Sequence, residues 1–179
     1  HDSPWVLPNI FGDSRVTRST QELSPQSLKK IDWWIKCLKD EGIYVWLDMH
    51  VQRALLEKDN IYGFDELPKE EQNFAYRKGY AYVNLTIQKA MKRFTEDYLT
   101  HVNPYTGLAY KDDPAVAAVL ITNENDLTHH FGNALLPDKN VPKHNSVYMA
   151  EAKAFANQHN LSADQTWRSW EPGPSKLFL

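Results

Sequence analysis

The segment AVAAVLIT, residues 115–122, constrains this chain more than any other. It is apolar almost without interruption, and its small residues suit close packing on both faces. A strand of that kind belongs in a parallel sheet covered on two sides. A second run, IYVWLDMHV at 43–51, is rich in β-branched and aromatic residues and reads as another buried strand. Between the two, Val83, Ile87, Met91, Phe94 and Tyr98 form a helical stripe. Before the first strand, Leu28, Ile31, Ile35 and Leu38 form another stripe. Ser24 is placed to cap that helix, Pro25 to occupy its first position and Gly42 to end it. After the second strand, Asn145 or Ser146 caps a helix running to about His159. Strands alternating with helices predict an α/β fold with a parallel sheet and crossover connections.

Two strands cannot make a sheet with both faces covered. The expectation is therefore a piece of a larger α/β domain, with residues 1–179 incomplete at both ends. The chain starts at His1 with no signal-like segment, in keeping with a piece cut from something longer. The connections are polar and turn-rich. Residues 1–23 carry two prolines, residues 52–79 are charged with LPKEEQ as a short helix, and HVNPYTGLAYKDDP carries Asn-Pro and Thr-Gly turn signals.

Charge narrows the partners. The net charge is −3, with no basic stripe, which argues against nucleic acid and against a membrane surface. No run approaches the ~18 apolar residues of a membrane span. The single cysteine, Cys37, sits in a helical pattern and reads as a small core or boundary residue without a neighbour to activate it. Nothing in the sequence calls for a cofactor.

The strand ends carry the chemistry. In parallel α/β folds ligands bind at the carboxyl ends of strands. The first strand ends in Asp48 and His50, which share parity. The second ends in Asn123, Glu124, Asn125 and Asp126. A strand reaching the surface explains one polar end easily. Two successive strands finishing in ionisable residues at the same edge favour a site.

These residues carry a resemblance. DDPAVAAVLITNEND looks like the fourth-strand region of clan A glycoside hydrolases, which are (β/α)8 TIM barrels, where an Asn-Glu pair closes the strand. GIYVWLDMHV is similar to the third strand of the family 5, cellulase-like members, which ends in Asp-x-His. HDSPW at residues 1–5 would then follow strand two. The resemblance covers about residues 1–160 and implies a partial barrel, near strands 3 and 4 with flanking helices. It implies that Glu124 is the general acid/base of a retaining double displacement on a poly- or oligosaccharide. It implies that Asn123 binds the sugar 2-hydroxyl and that His50 lines the subsite at the cleavage point. Asp48 would orient a neighbour or a sugar hydroxyl, Trp5 would stack on a sugar, and His129 would reach the substrate from an overhanging loop. The family's nucleophile is a glutamate ending strand seven, and Glu171 comes too early to be it. The nucleophile is expected outside this chain, and the 179 residues alone are expected to be inactive. The sequence leaves the compartment open, a secreted or periplasmic parent being one option.

Other readings compete. A barrel that lost catalysis would bind carbohydrate or serve structure. His129 and His130 with His50, Asp48 and Asp126 would make a metal-dependent hydrolase, but their spacing matches no zinc motif, so no metal is expected. Trp46 reads as core, and Trp33 and Trp34 as packing on the outside of a barrel. NLT at 84 and NLS at 160 match the glycosylation pattern. The exposed edges of a half barrel predict self-association or pairing with the remainder of the barrel.

Overall fold

A computed structural model describes residues 1–3, 8–69, 77–125 and 140–162. Its regular elements run α1 (Ser14–Thr17), α2 (Pro25–Asp40), β1 (Val45–His50), α3 (Leu85–Thr100), β2 (Val116–Thr122) and α4 (Pro142–Gln158). The strands β1 and β2 pair in parallel, with Val45 opposite Val116, Leu47 opposite Val119 and His50 opposite Thr122. The register slips after Val45, because Trp46 pairs with Ala118 and Ala117 is passed over. The fold is mixed α/β with a parallel two-stranded sheet. None of the described helices is long and apolar enough to cross a membrane.

Local chemistry explains the helix bounds. The Ser24 side chain accepts from the Ser27 amide at 3.3 Å, and Pro25 occupies the first helical position of α2. Gly42, at φ +70°, turns the chain out of α2 in the left-handed region. The Asn84 side-chain oxygen accepts from the Thr86 and Ile87 amides at 3.0 and 3.3 Å and so caps α3. The side chain of the Asn84-Leu85-Thr86 sequon is thereby buried and engaged.

Helices α2 and α3 cover one face of the sheet. Leu28 and Ile35 of α2, Phe94 and Tyr98 of α3, and Leu47 and Met49 of β1 share one buried cluster, completed by Ile10 and Phe11. Each such side chain contributes about 1.5–3 kcal/mol on burial. Trp46 corrects the sequence reading. It is 65% exposed rather than core, because it lies on β1 out of phase with Leu47, and no described helix packs over it. Cys37 is also exposed, on the outer side of α2. Trp33 and Trp34 are exposed on the same helix, with Trp33 edge-on to Tyr105 at 5.2 Å.

Two buried polar networks pin the helices. On α2, the Asp32 carboxylate accepts from the Tyr110 hydroxyl at 2.6 Å and pairs with His101 Nε2 at 3.0 Å. The Asp32 carbonyl accepts from the Asn103 side chain at 2.9 Å. Helix α4 begins at Pro142, earlier than the Asn145 or Ser146 cap expected from sequence. The reason is tertiary: the Glu66 carboxylate accepts from the Lys143 and His144 amides at 2.6 and 3.1 Å, doing the work of a cap. His144 Nδ1 also meets Glu66 at 2.6 Å, while Nε2 faces the Asn84 amide nitrogen at 2.7 Å. The Asn84 oxygen is committed to α3, so its NH2 must face His144, and Nε2 must accept. The ring is therefore neutral. It stacks on Tyr80 at 3.9 Å and leaves no room for a side chain at Gly63, where a Cβ would come within 2.7 Å of the ring.

Two outcomes follow. Asp32→Ala strands the Tyr110 hydroxyl in the core and should lower stability by about 2–4 kcal/mol in urea unfolding; a loss under ~0.5 kcal/mol would show that the pin is not structural. Burial lowers the pKa of both His144 and His50 from the ordinary 6.5. Below that value the unfolded chain takes up protons that the folded chain refuses. Stability should thus be complete above pH 6.5 and fall as pH drops, by up to ~1.4 kcal/mol per pH unit for each histidine. A flat stability profile from pH 7 to 5.5 would contradict the neutral assignment.

Candidate functional site at the carboxyl ends of the strands

The sheet ends in a buried polar cluster. The Asn123 amide donates to the His50 carbonyl at 3.0 Å, so the ladder carries one step past β2 and ties the two strand ends together. His50 is fully buried. Its Nε2 lies 3.0 Å from the Thr95 hydroxyl on α3, and its Nδ1 lies 3.4 Å from Asp2. The ring also packs against Phe94, with centroids 5.4 Å apart.

Asp2 organises this end. One carboxylate oxygen accepts from the Val51 and Gln52 amides at 2.7 and 3.0 Å, and the other faces His50. The Asp2 amide in turn donates to the Met49 carbonyl at 3.2 Å. Burial alone would push the Asp2 carboxyl up. Its hydrogen bond to His50, the charge of Arg77 and the Val51 amide outweigh that and hold it below the usual carboxylate range. Burial pushes His50 down, and the Asp2 contact offsets only part of the effect. The pair is an ionised Asp2 and a neutral His50, with Nδ1–H donating to Asp2 and Nε2 accepting from Thr95.

Three cations surround this pair. Arg53 is fully buried and donates to the Thr20 hydroxyl at 2.9 Å, the Thr20 carbonyl at 2.7 Å and the Ala90 carbonyl at 3.0 Å. Its guanidinium stands over the Phe11 ring at 5.0 Å, and burial lowers its pKa to about 10. Asp59, which accepts from the Thr20 amide and hydroxyl at 2.6 and 2.7 Å, is its buried counter-charge. Arg77 and Lys78 are also buried, and burial lowers the pKa of each.

The residues singled out from sequence separate in space. His50 is in the core of the cluster. Asn123 is half-buried at its edge. Glu124 is exposed, and it stands in the left-handed region at φ +47°, a strained place for a residue other than glycine. Asn125 follows, with its carbonyl accepting from the Tyr82 hydroxyl and its amide donating to the Lys78 carbonyl at 3.4 Å. Asp48 is half-buried one step before the fully buried Met49 and His50. Trp5 and His129 lie outside the described residues, as do His130, Asp126 and Glu171. Among the described residues no group of three His, Cys, Asp or Glu side chains is placed to hold a metal.

Beside the cluster lies a cavity of about 780 Å³, walled by His50, Met91, Thr95, Ile121, Thr122 and Asn125 among others. The helix side of its wall mixes Met91 and Leu99 with Gln88, Lys92, Thr95 and Glu96, and the strand ends add His50, Ile121 and Thr122. Sequence reasoning missed Asp2, Thr95, Arg53, Arg77 and Lys78. Asp2 was within reach, since HDSPW had already been placed at a strand exit. The others sit on a helix or in a charged connection, where nothing local marks a buried residue.

The chain matches no family model, no curated protein and no solved structure.

Backbone strain at Glu124 makes a test of role. Glycine accepts φ +47° without penalty, so Glu124→Gly should leave the urea midpoint unchanged or raise stability by ~1 kcal/mol. A loss above ~1 kcal/mol would mean that the glutamate side chain is there to hold the loop.

Proposed function

We propose that this chain is part of a retaining glycoside hydrolase of the (β/α)8 type, with Glu124 as its acid/base. The observation that carries the reading is the adjacency of the two strand ends, with the Asn123 amide bonded to the His50 carbonyl at 3.0 Å. The Asn-Glu strand end and the Asp-x-His strand end are thus neighbours at the carboxyl edge of a parallel pair, where α/β folds place their ligands. The strained backbone at Glu124 supports it too, since strain of that kind collects at sites of function.

On this reading Glu124 protonates the leaving glycosidic oxygen and then takes a proton from the attacking water. Asn123 presents its amide to the sugar 2-hydroxyl. His50 keeps a fixed ring orientation because Asp2 and Thr95 hold both of its nitrogens, and Asp48 lines the same strand end. The carboxylate nucleophile comes from a strand outside these 179 residues. The exposed face around Trp46 supports a sheet that continues into the remainder of a barrel, or that a second copy covers.

The test compares the protein carrying this chain with its Glu124→Gln variant on oligosaccharides and on aryl β-glycosides. With natural leaving groups the variant should lose about 10²–10⁴-fold in rate. With an activated aryl leaving group the first step should survive. Equal behaviour of the two proteins on both substrates would remove the acid/base role. Binding of saccharide without turnover in either protein would point instead to a carbohydrate-binding barrel.

A further inference from the structure

Glu124 stands in a backbone conformation that its own sequence neighbourhood does not explain. Among the described residues, Asn60, Asn140 and Asn160 also have positive φ, but asparagine tolerates the left-handed region. Arg18, at φ +60°, closes helix α1 as its C-cap, with its amide donating to the Ser14 carbonyl at 2.7 Å. Glu124, at φ +47°, follows the strand β2 and ends no helix. Strain of this kind persists only where the surroundings over-determine the backbone.

Two anchors do so. On the near side, the Asn123 amide donates to the His50 carbonyl at 3.0 Å and fixes the chain to the end of β1. On the far side, the Asn125 carbonyl accepts from the Tyr82 hydroxyl, and the Asn125 side-chain amide donates to the Lys78 carbonyl at 3.4 Å. Glu124 is the single residue between them.

Tyr82 is itself held. Its segment is turned on itself, with the Ala81 amide donating to the Arg77 carbonyl at 2.9 Å and the Val83 and Asn84 amides to the Tyr80 carbonyl at 3.0 and 2.8 Å. From α3, the Gln88 side-chain amide donates to the Ala81 carbonyl at 2.9 Å and to the Tyr82 carbonyl at 3.4 Å. Tyr82 is 42% exposed and belongs to none of the buried apolar clusters. Core packing therefore does not account for this tyrosine, and its hydroxyl is the part with a defined partner.

We propose that Tyr82 is a positioning residue for Glu124, its hydroxyl holding the Asn125 carbonyl so that the glutamate keeps its left-handed backbone and its carboxyl keeps one aim. This rests on the reading of Glu124 as acid/base and adds to it the group that fixes the acid in place. The contacts run from α3 through Gln88 to Tyr82, from the hydroxyl to Asn125, and back one residue to Glu124. Without the hydroxyl the far anchor is reduced to the long bond between Asn125 and Lys78. Glu124 then relaxes to the negative φ that a glutamate prefers, and its carboxyl turns with the backbone. Small misplacements of a reacting group cost much in rate.

The experiment makes Tyr82→Phe in the protein carrying this chain, alone and together with Glu124→Gln. Oligosaccharides report on the acid. The first turnover of an aryl β-glycoside with an activated leaving group reports on the rest of the site. On oligosaccharides Tyr82→Phe should lower kcat about 10–100-fold without raising KM. On the activated aryl glycoside its first step should stay within about 2-fold of wild type, because a leaving group that needs no proton does not read the acid. Added to Glu124→Gln, it should cost less than about 2-fold more, since it acts only through a carboxyl that is already gone. Phenylalanine keeps the ring, so the urea midpoint should barely move.

A raised KM with kcat unchanged would mean that Tyr82 touches the saccharide directly, and would overturn the proposal. Equal losses on both substrates, a full further loss on top of Glu124→Gln, or a Tyr82→Phe protein that no longer folds would make the hydroxyl a merely structural group. Each of these would overturn it too. If Glu124→Gln loses activity as expected while Tyr82→Phe matches wild type, this proposal falls and the glycosidase reading stands. If Glu124→Gln matches wild type on both substrates, both fall.

Discussion

The parallel pairing of β1 with β2 is the constraint on which the rest depends. A parallel pair requires its connection to travel back along the sheet, and here α3 makes that return. The return lays Phe94 and Tyr98 on Leu47 and Met49, and α2 completes the cover with Leu28 and Ile35. The same pairing puts both strand ends at one edge. His50 and Asn123 meet because the ladder runs one step beyond β2.

That edge is unusual in how much charge it buries. Isolated buried ions are unfavourable, and the cluster offsets this with dense hydrogen bonding. Asp2 accepts two backbone amides and faces His50, Arg53 spends its donors on Thr20 and Ala90, and Asp59 closes on Thr20. Arg77 breaks the pattern. Its Nη1 meets the Met91 sulfur at 4.0 Å, while Nε and Nη2 have no hydrogen-bond partner among the described residues.

Much of the frame was legible from residue pattern. The capping of α2 by Ser24 and Pro25, its end at Gly42, the α3 stripe and both strands follow from local propensities and spacing, which neighbours did not override. The failures have a common cause. Trp46 read as core because a strand with a bulky aromatic usually buries it, but burial depends on what lies over the sheet. The start of α4 was misplaced because its cap is Glu66, a residue from a distant turn, and no local motif announces it. Asp2, Arg53, Arg77 and Lys78 went unmarked for the same reason: their burial comes from packing among segments far apart in sequence.

By itself the sequence determined the kind and order of the elements, because helix period, strand composition and capping residues are local properties. It also determined that both strands end in ionisable side chains, and therefore which chemistry the edge offers. Only the tertiary structure decided which of those groups meet. It set His50 between Asp2 and Thr95, left Glu124 exposed on strained backbone, and buried Arg77 with two of its nitrogens unpaired among the described residues. Distance and desolvation decide the protonation of such groups, and both arise only when remote segments pack together.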